Sequence, residues 1–185
     1  MGVLRIIVWA LLLTLVEAHG FCAPSPNTIV VLGSSTAAGV GASTYQTSWV
    51  GLLTSALASK GYIVQNVSIS GTNTGDSLAR FDRDVTPNNP AFVVLATSIV
   101  NEPTDTAAQS YLAKTLLLIH KVESIGAIPV VVPPYPNDGF SASMYSSIQN
   151  IYTTLGAEGV PLLDFLDAAD DGQGHWVAGL SLDGT

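Results

Sequence analysis

Two serines in this sequence stand in settings where a hydroxyl could act as a nucleophile. Ser35 lies in "GSST" (Gly33–Thr36), and Ser77 lies in a literal "GDSL" (Gly75–Leu78). A serine hydroxyl attacks a carbonyl only when a base takes its proton and fixed donors hold the oxygen that becomes negative. The histidines that could serve as base are His19, His120 and His175. Which serine is placed for chemistry depends on the elements that carry it.

Apolar runs alternate with amphipathic ones. "TIVVLG" (Thr28–Gly33) is short, β-branched and apolar on both faces, as a buried parallel strand requires. "YIVQNVSIS" (Tyr62–Ser70), "AFVVLA" (Ala91–Ala96), "IPVVVPP" (Ile128–Pro134) and "VPLLDF" (Val160–Phe165) read as four more strands. Between them, Trp49, Leu52, Leu53, Ala56 and Leu57 recur at helical spacing. So do Ala108, Leu112, Leu116, Ile119 and Val122 in a helix expected from about Asp105 to Ile125, and Met144, Ile148, Ile151, Tyr152 and Leu155 in another. A short helix is expected around Asp76–Phe81. The alternation predicts a three-layer α/β/α sandwich around a parallel sheet of about five strands, a flavodoxin-like arrangement. Sites in such folds form on loops leaving the carboxyl ends of the strands.

That rule separates the serines. Ser35 falls in the turn after the first strand, between Gly33 and a following helix, with small neighbours on either side. Ser77 falls inside the short helix that carries Leu78 and Phe81, and Asp76 is explained there as a first-turn acid. The literal tetrapeptide is therefore read as coincidence, and Ser35 as the candidate.

"GSST" after the first strand, "SGTN" after the second, "IVNE" after the third and a terminal "LDGT" occur in this order. Together they resemble the blocks of the SGNH, or GDSL, hydrolases, a family of serine esterases and lipases. The resemblance implies ester hydrolysis through an acyl-enzyme on Ser35. Gly71 would lend its backbone N–H to the oxyanion, Asn101 its side-chain amide, and Asp183 would orient a catalytic histidine. No cofactor is expected, and no metal, because no His-Glu pair or Cys cluster has ligand spacing. Two positions depart from the family pattern: Ser34 stands where the first block has Asp, and Ile99 where the third has Gly.

The family's last block is Asp-x-x-His, and Asp183 is followed by Gly184 and Thr185 alone. The expectation is that the histidine comes next, beyond the sequence given, and that these 185 residues alone are nearly inactive. His175, in "DGQGHW", is the alternative base if the final loop folds back on Ser35. A non-catalytic carbohydrate- or acyl-binding module on the same fold is the competing reading, with Tyr135 and Trp176 as candidate stacking residues. A nucleotide-binding domain is disfavoured, because the glycines after the first strand match neither dinucleotide nor phosphate-loop spacing.

Composition narrows the partners. The chain has 185 residues, 48% hydrophobic and 11% charged, with a formal net charge of −8. That suits one folded domain. The acidic balance, with no cluster of Lys or Arg, argues against nucleic acid. The expected partner is a small-molecule, glycan or lipid ester. Arg5 followed by the apolar run Ile6–Val16 reads as a signal peptide over residues 1–20. Residues 21–27 then form a short linker and residues 28–185 the hydrolase-like domain, expected to be secreted or periplasmic, without stable membrane insertion. Cys22 is the single cysteine, so no internal disulfide can form. Asn66 begins an Asn-x-Ser sequence, but within an expected strand, where glycosylation is not expected.

Overall fold

The structure is a computed structural model, and it describes residues 25–103, 106–135, 137–163 and 169–178. The expected signal peptide, with His19, lies outside the described residues, as do Cys22 and Asp183.

Four strands form one parallel sheet. They are β1 (Ser25–Gly33), β2 (Ile63–Asn66), β3 (Pro90–Ala96) and β4 (Ile128–Val131), in the spatial order β2-β1-β3-β4. Register pairs Val31 with Asn66 on one side and with Val94 on the other, and Leu95 with Val131. The five-stranded sheet of the sequence reading is refined here. Pro161 and Leu163 bond to Val131, but the contact is an isolated parallel bridge, Val131 to Leu162, rather than a strand, and residues 164–168 lie outside the described set.

The helices are α1 (Ser35–Ala38), α2 (Trp49–Ala58), α3 (Thr74–Asp84), α4 (Ala107–Ser124) and α5 (Ala142–Ala157). Because side chains alternate along a strand, each strand feeds two cores. Val30, Leu32, Val93, Leu95 and Val131 face Phe81, Tyr111, Leu118, Val122 and Ile151 of α3, α4 and α5. Ile29, Val31, Val94 and Ala96 face Ala37, Val50 and Leu57 of α1 and α2. This is the three-layer sandwich that the alternating pattern predicts.

Boundaries follow local chemistry. Asn73 caps α3 by accepting from the Asp76 N–H at 3.0 Å, while Asp76 accepts from the Asn73 N–H at 3.0 Å. This reciprocal box starts α3 two residues earlier than expected and gives Asp76 a more specific role than a favourable charge. Ser48 and Ser141 cap α2 and α5 one way, each hydroxyl accepting from one backbone N–H of the first turn. Among the described residues, no helix is long and apolar enough to cross a membrane.

Candidate active site

The strand order reverses direction at β1: the chain goes next to β2 on one side, then to β3 on the other. At such a switch point, loops leaving adjacent strands diverge and open a crevice at their carboxyl ends. Ser35 follows β1 and Asn101 follows β3, so both stand at that crevice.

Gly33 ends β1 where no other residue fits. A Cβ there would lie 2.6 Å from the Ala96 carbonyl oxygen and 2.7 Å from the Ala37 Cβ. The close approach lets the Ser34 N–H reach Ala96 O at 3.1 Å, which ties the turn to the end of β3. Ser35 then opens α1, which Gly39 ends after a single turn at φ 97°. Ser35 is half-buried, and no partner for its hydroxyl lies among the described residues. Ser77 differs in placement: it is inside α3 and 1% exposed.

Asn101 ends a short 3-10 turn (Ile99–Asn101) after β3. Its Nδ2 donates to Ser34 Oγ at 2.8 Å and to Thr72 O at 3.0 Å. A carbonyl can only accept, so the contact with Thr72 O fixes which end of the amide is nitrogen. One side chain therefore joins the turn carrying Ser35 to the turn carrying Gly71. Ser34, where the family pattern has an acid, supplies a neutral acceptor. Gly71 has φ 79°, a left-handed conformation that favours glycine, and a Cβ there would meet no atom within 4 Å. Space in front of it is open, and no partner for its N–H lies among the described residues.

Three further groups surround this arrangement, two of them, Glu102 and Arg80, without having been singled out as site residues in the sequence. The Glu102 carboxylate is buried directly beside Asn101. It accepts from the Thr74 N–H at 2.8 Å, Ser110 Oγ at 2.8 Å and Lys114 Nζ at 3.0 Å. Burial alone would raise its pKa; donors from Thr74, Lys114 and Ser110 outweigh that and hold it below the ordinary range. Glu102 thereby ties the Asn101 turn to α3 and α4. Arg80, 6% exposed on α3, donates to Gly33 O at 3.1 Å and to Val67 O at 2.5 Å. Burial pushes the Tyr135 phenol above its ordinary pKa, against the opposing effect of Thr36 and Ser98, and its ring lies 5.9 Å from that of Trp176. The sequence names the two rings as stacking candidates; the structure adds that they are neighbours.

The histidines are placed as follows. His120 lies exposed on α4, 3.3 Å from Glu123 Oε2. His175 Nδ1 lies 3.5 Å from Asp138 Oδ1, in a loop that Asp170 and Asp171 brace through backbone N–H groups of residues 172–175. Among the described residues, no group of three or more His, Cys, Asp and Glu side chains is placed to hold a metal ion.

Residues 31–185 match the model of the GDSL-like Lipase/Acylhydrolase family. The chain belongs to the GDSL-like lipase/acylhydrolase family. Its match runs through all four blocks, from the end of β1 to the terminal "LDGT". Solved structures share the family's fold. A protein of the G-D-S-L family from Desulfitobacterium hafniense DCB-2 is 20% identical, with TM-score 0.70, over 83% of this chain and 86% of its own. TesA is 24% identical, with TM-score 0.69, over 85% and 89%. The acetyl xylan esterase AlAXEase is 20% identical, with TM-score 0.61, over 76% and 78%. No curated protein matches the sequence. Membership in this GDSL-like family makes ester hydrolysis the general activity, on small-molecule ester substrates.

Proposed function

We propose that Ser35 is the nucleophile of a serine esterase that works through an acyl-enzyme. Its Oγ attacks the ester carbonyl carbon while a base takes the hydroxyl proton. The carbonyl oxygen becomes an oxyanion held by the Gly71 N–H and the Asn101 amide. Collapse expels the alcohol, which leaves with the proton, and water then releases the acid by the same steps in reverse order. The observation that carries this reading is the Asn101 amide bridging Ser34 Oγ and Thr72 O, because it gathers the blocks of residues 35, 71 and 101 at one crevice.

Asp183 orients the base in this reading. The family pattern puts that histidine three residues after Asp183; His175 is the histidine of this sequence on the loop beside Trp176. The substrate is a small carboxylic ester, acetylated sugars included. The Tyr135–Trp176 wall offers apolar faces for a sugar ring, and a structural neighbour is an acetyl xylan esterase. Export through the Ile6–Val16 segment belongs to the same reading.

Hydrolysis of p-nitrophenyl esters of increasing acyl length by the full-length protein tests it. Short acyl groups should turn over fastest, and Ser35→Ala should abolish turnover. Binding of the esters without turnover would favour the non-catalytic module. Loss of turnover in His175→Ala would place the base there.

A further inference from the structure

Arg80 is a buried cation that the chemistry of the acyl-enzyme does not use. Its Nη1 donates to Val67 O at 2.5 Å and to Asp84 Oδ2 at 3.1 Å, and its Nη2 donates to Gly33 O at 3.1 Å. The Nε is buried without a hydrogen-bond partner among the described residues. Gly33 is the last residue of β1, two before Ser35, and Val67 follows β2, four before Gly71. A single planar fork therefore holds the two strand ends from which the candidate nucleophile and the candidate oxyanion donor project.

Burying a guanidinium is costly, and a well-packed apolar side chain is often as good for stability. What an apolar side chain cannot do is fix two carbonyl oxygens at set positions. Nor can lysine, whose ammonium is one point charge on a flexible stem. The Gly33 oxygen also accepts from the Ile69 N–H at 3.1 Å, so the ladder between β1 and the segment after β2 is already closed there. The contact from Arg80 adds to a carbonyl that was not in want of a partner. It acts on the placement of that carbonyl.

We infer that Arg80 is a positioning residue that sets the spacing between Ser35 and Gly71 by clamping the carbonyl oxygens of Gly33 and Val67. The inference rests on the reading of Ser35 as nucleophile and Gly71 as oxyanion donor. Attack and oxyanion stabilisation depend on that spacing, and a displacement on the order of 1 Å costs about 10²-fold in rate. Binding of a small ester depends on it far less.

The test uses the full-length protein with p-nitrophenyl acetate, each variant assayed well below its own melting temperature. Arg80→Lys and Arg80→Met are compared with Val122→Ala, a core truncation in α4 that lowers stability away from the crevice. Both Arg80 variants should lose about 10²-fold in kcat with KM within about threefold, while Val122→Ala keeps kcat. Near-equal losses in the Lys and Met variants are expected, because neither side chain can clamp both carbonyl oxygens, although only lysine keeps a charge beside Asp84. Wild-type kcat in Arg80→Lys overturns the inference, as does a loss in Val122→Ala that tracks its drop in melting temperature. If Arg80→Met does not fold, Arg80→Lys decides alone. Hydrolysis that survives Ser35→Ala would instead remove the underlying function. Loss in Ser35→Ala with kcat intact in Arg80→Lys would remove the clamp only.

Discussion

The amide nitrogen of Asn101 lies 2.8 Å from the hydroxyl oxygen of Ser34, a residue 67 positions earlier in the chain. Its second hydrogen is taken by the Thr72 carbonyl at 3.0 Å. An amide nitrogen carries two hydrogens, so both donors are engaged in this structure. To hold an oxyanion, Asn101 must exchange one neutral acceptor for a charged one. The exchange favours the charged acceptor, since such hydrogen bonds are about twice as strong.

Asn101→Ala should therefore lower kcat by about 10²–10³-fold, the range for losing one oxyanion donor. Asn101→Asp should be no better, because an ionised carboxylate only accepts and would repel the oxyanion. Steady-state kinetics on p-nitrophenyl acetate checks both. Rates near wild type in the two variants would remove Asn101 from the oxyanion role and leave it as a tie between loops.

Gly33 is fixed by contact rather than by backbone freedom. A methyl group there would press on the Ala96 carbonyl oxygen at 2.6 Å, and that backbone is held in the sheet. Gly33→Ala should destabilise the protein by about 1–3 kcal/mol, as overpacking does. It should also disturb the Ser34 N–H contact with Ala96 that sets the Ser35 turn. Urea unfolding gives the first effect and kcat the second; an unfolding free energy unchanged in Gly33→Ala would contradict the packing argument.

Asp84 gives the fold an acid-sensitive element. Hydrogen bonding from Arg83 first, and from Arg80 next, against the opposing effect of burial, lowers its pKa from 3.8 to about 2. A carboxyl group whose folded pKa is depressed contributes stability that is fully present above its unfolded pKa. That contribution fades as pH falls through the folded value. Wild type should thus exceed Asp84→Asn in stability by a constant amount above about pH 5, with the gap closing from about pH 4 toward pH 2. Urea unfolding across that range reads the gap. A gap independent of pH would mean that the ion pairs with Arg83 and Arg80 contribute nothing to the fold.

The elements that were legible in the sequence are those whose signal is periodic. Val30, Leu32, Val93 and Leu95 sit in continuous apolar runs, and both faces of the sheet are covered, so the strands could be read directly. The different settings of Ser35, after a strand, and Ser77, inside a helix, were legible from the same elements. Arg80 and Glu102 were not legible as buried groups. Thr74, Ser77, Arg80 and Phe81 form the inward stripe of α3, and three of those four are polar, so a search for apolar spacing finds only Leu78 and Phe81. Glu102 is buried because Thr74, Ser110 and Lys114 converge on it from two helices, a meeting that only the folded chain creates. The expected fifth strand, "VPLLDF", is seen in part: Leu162 makes one parallel bridge to Val131 of β4, and residues 164 and 165 lie outside the described residues.

The central claim is that Ser35 carries the acyl group, and trapping that intermediate tests it most directly. Full-length protein mixed with p-nitrophenyl acetate, quenched in acid within the first turnover and digested, should yield the peptide containing Ser35 with one acetyl group added. Ser35→Ala should yield no acetylated peptide and no turnover. An acetyl group found on another residue, or unchanged hydrolysis by Ser35→Ala, would contradict the account.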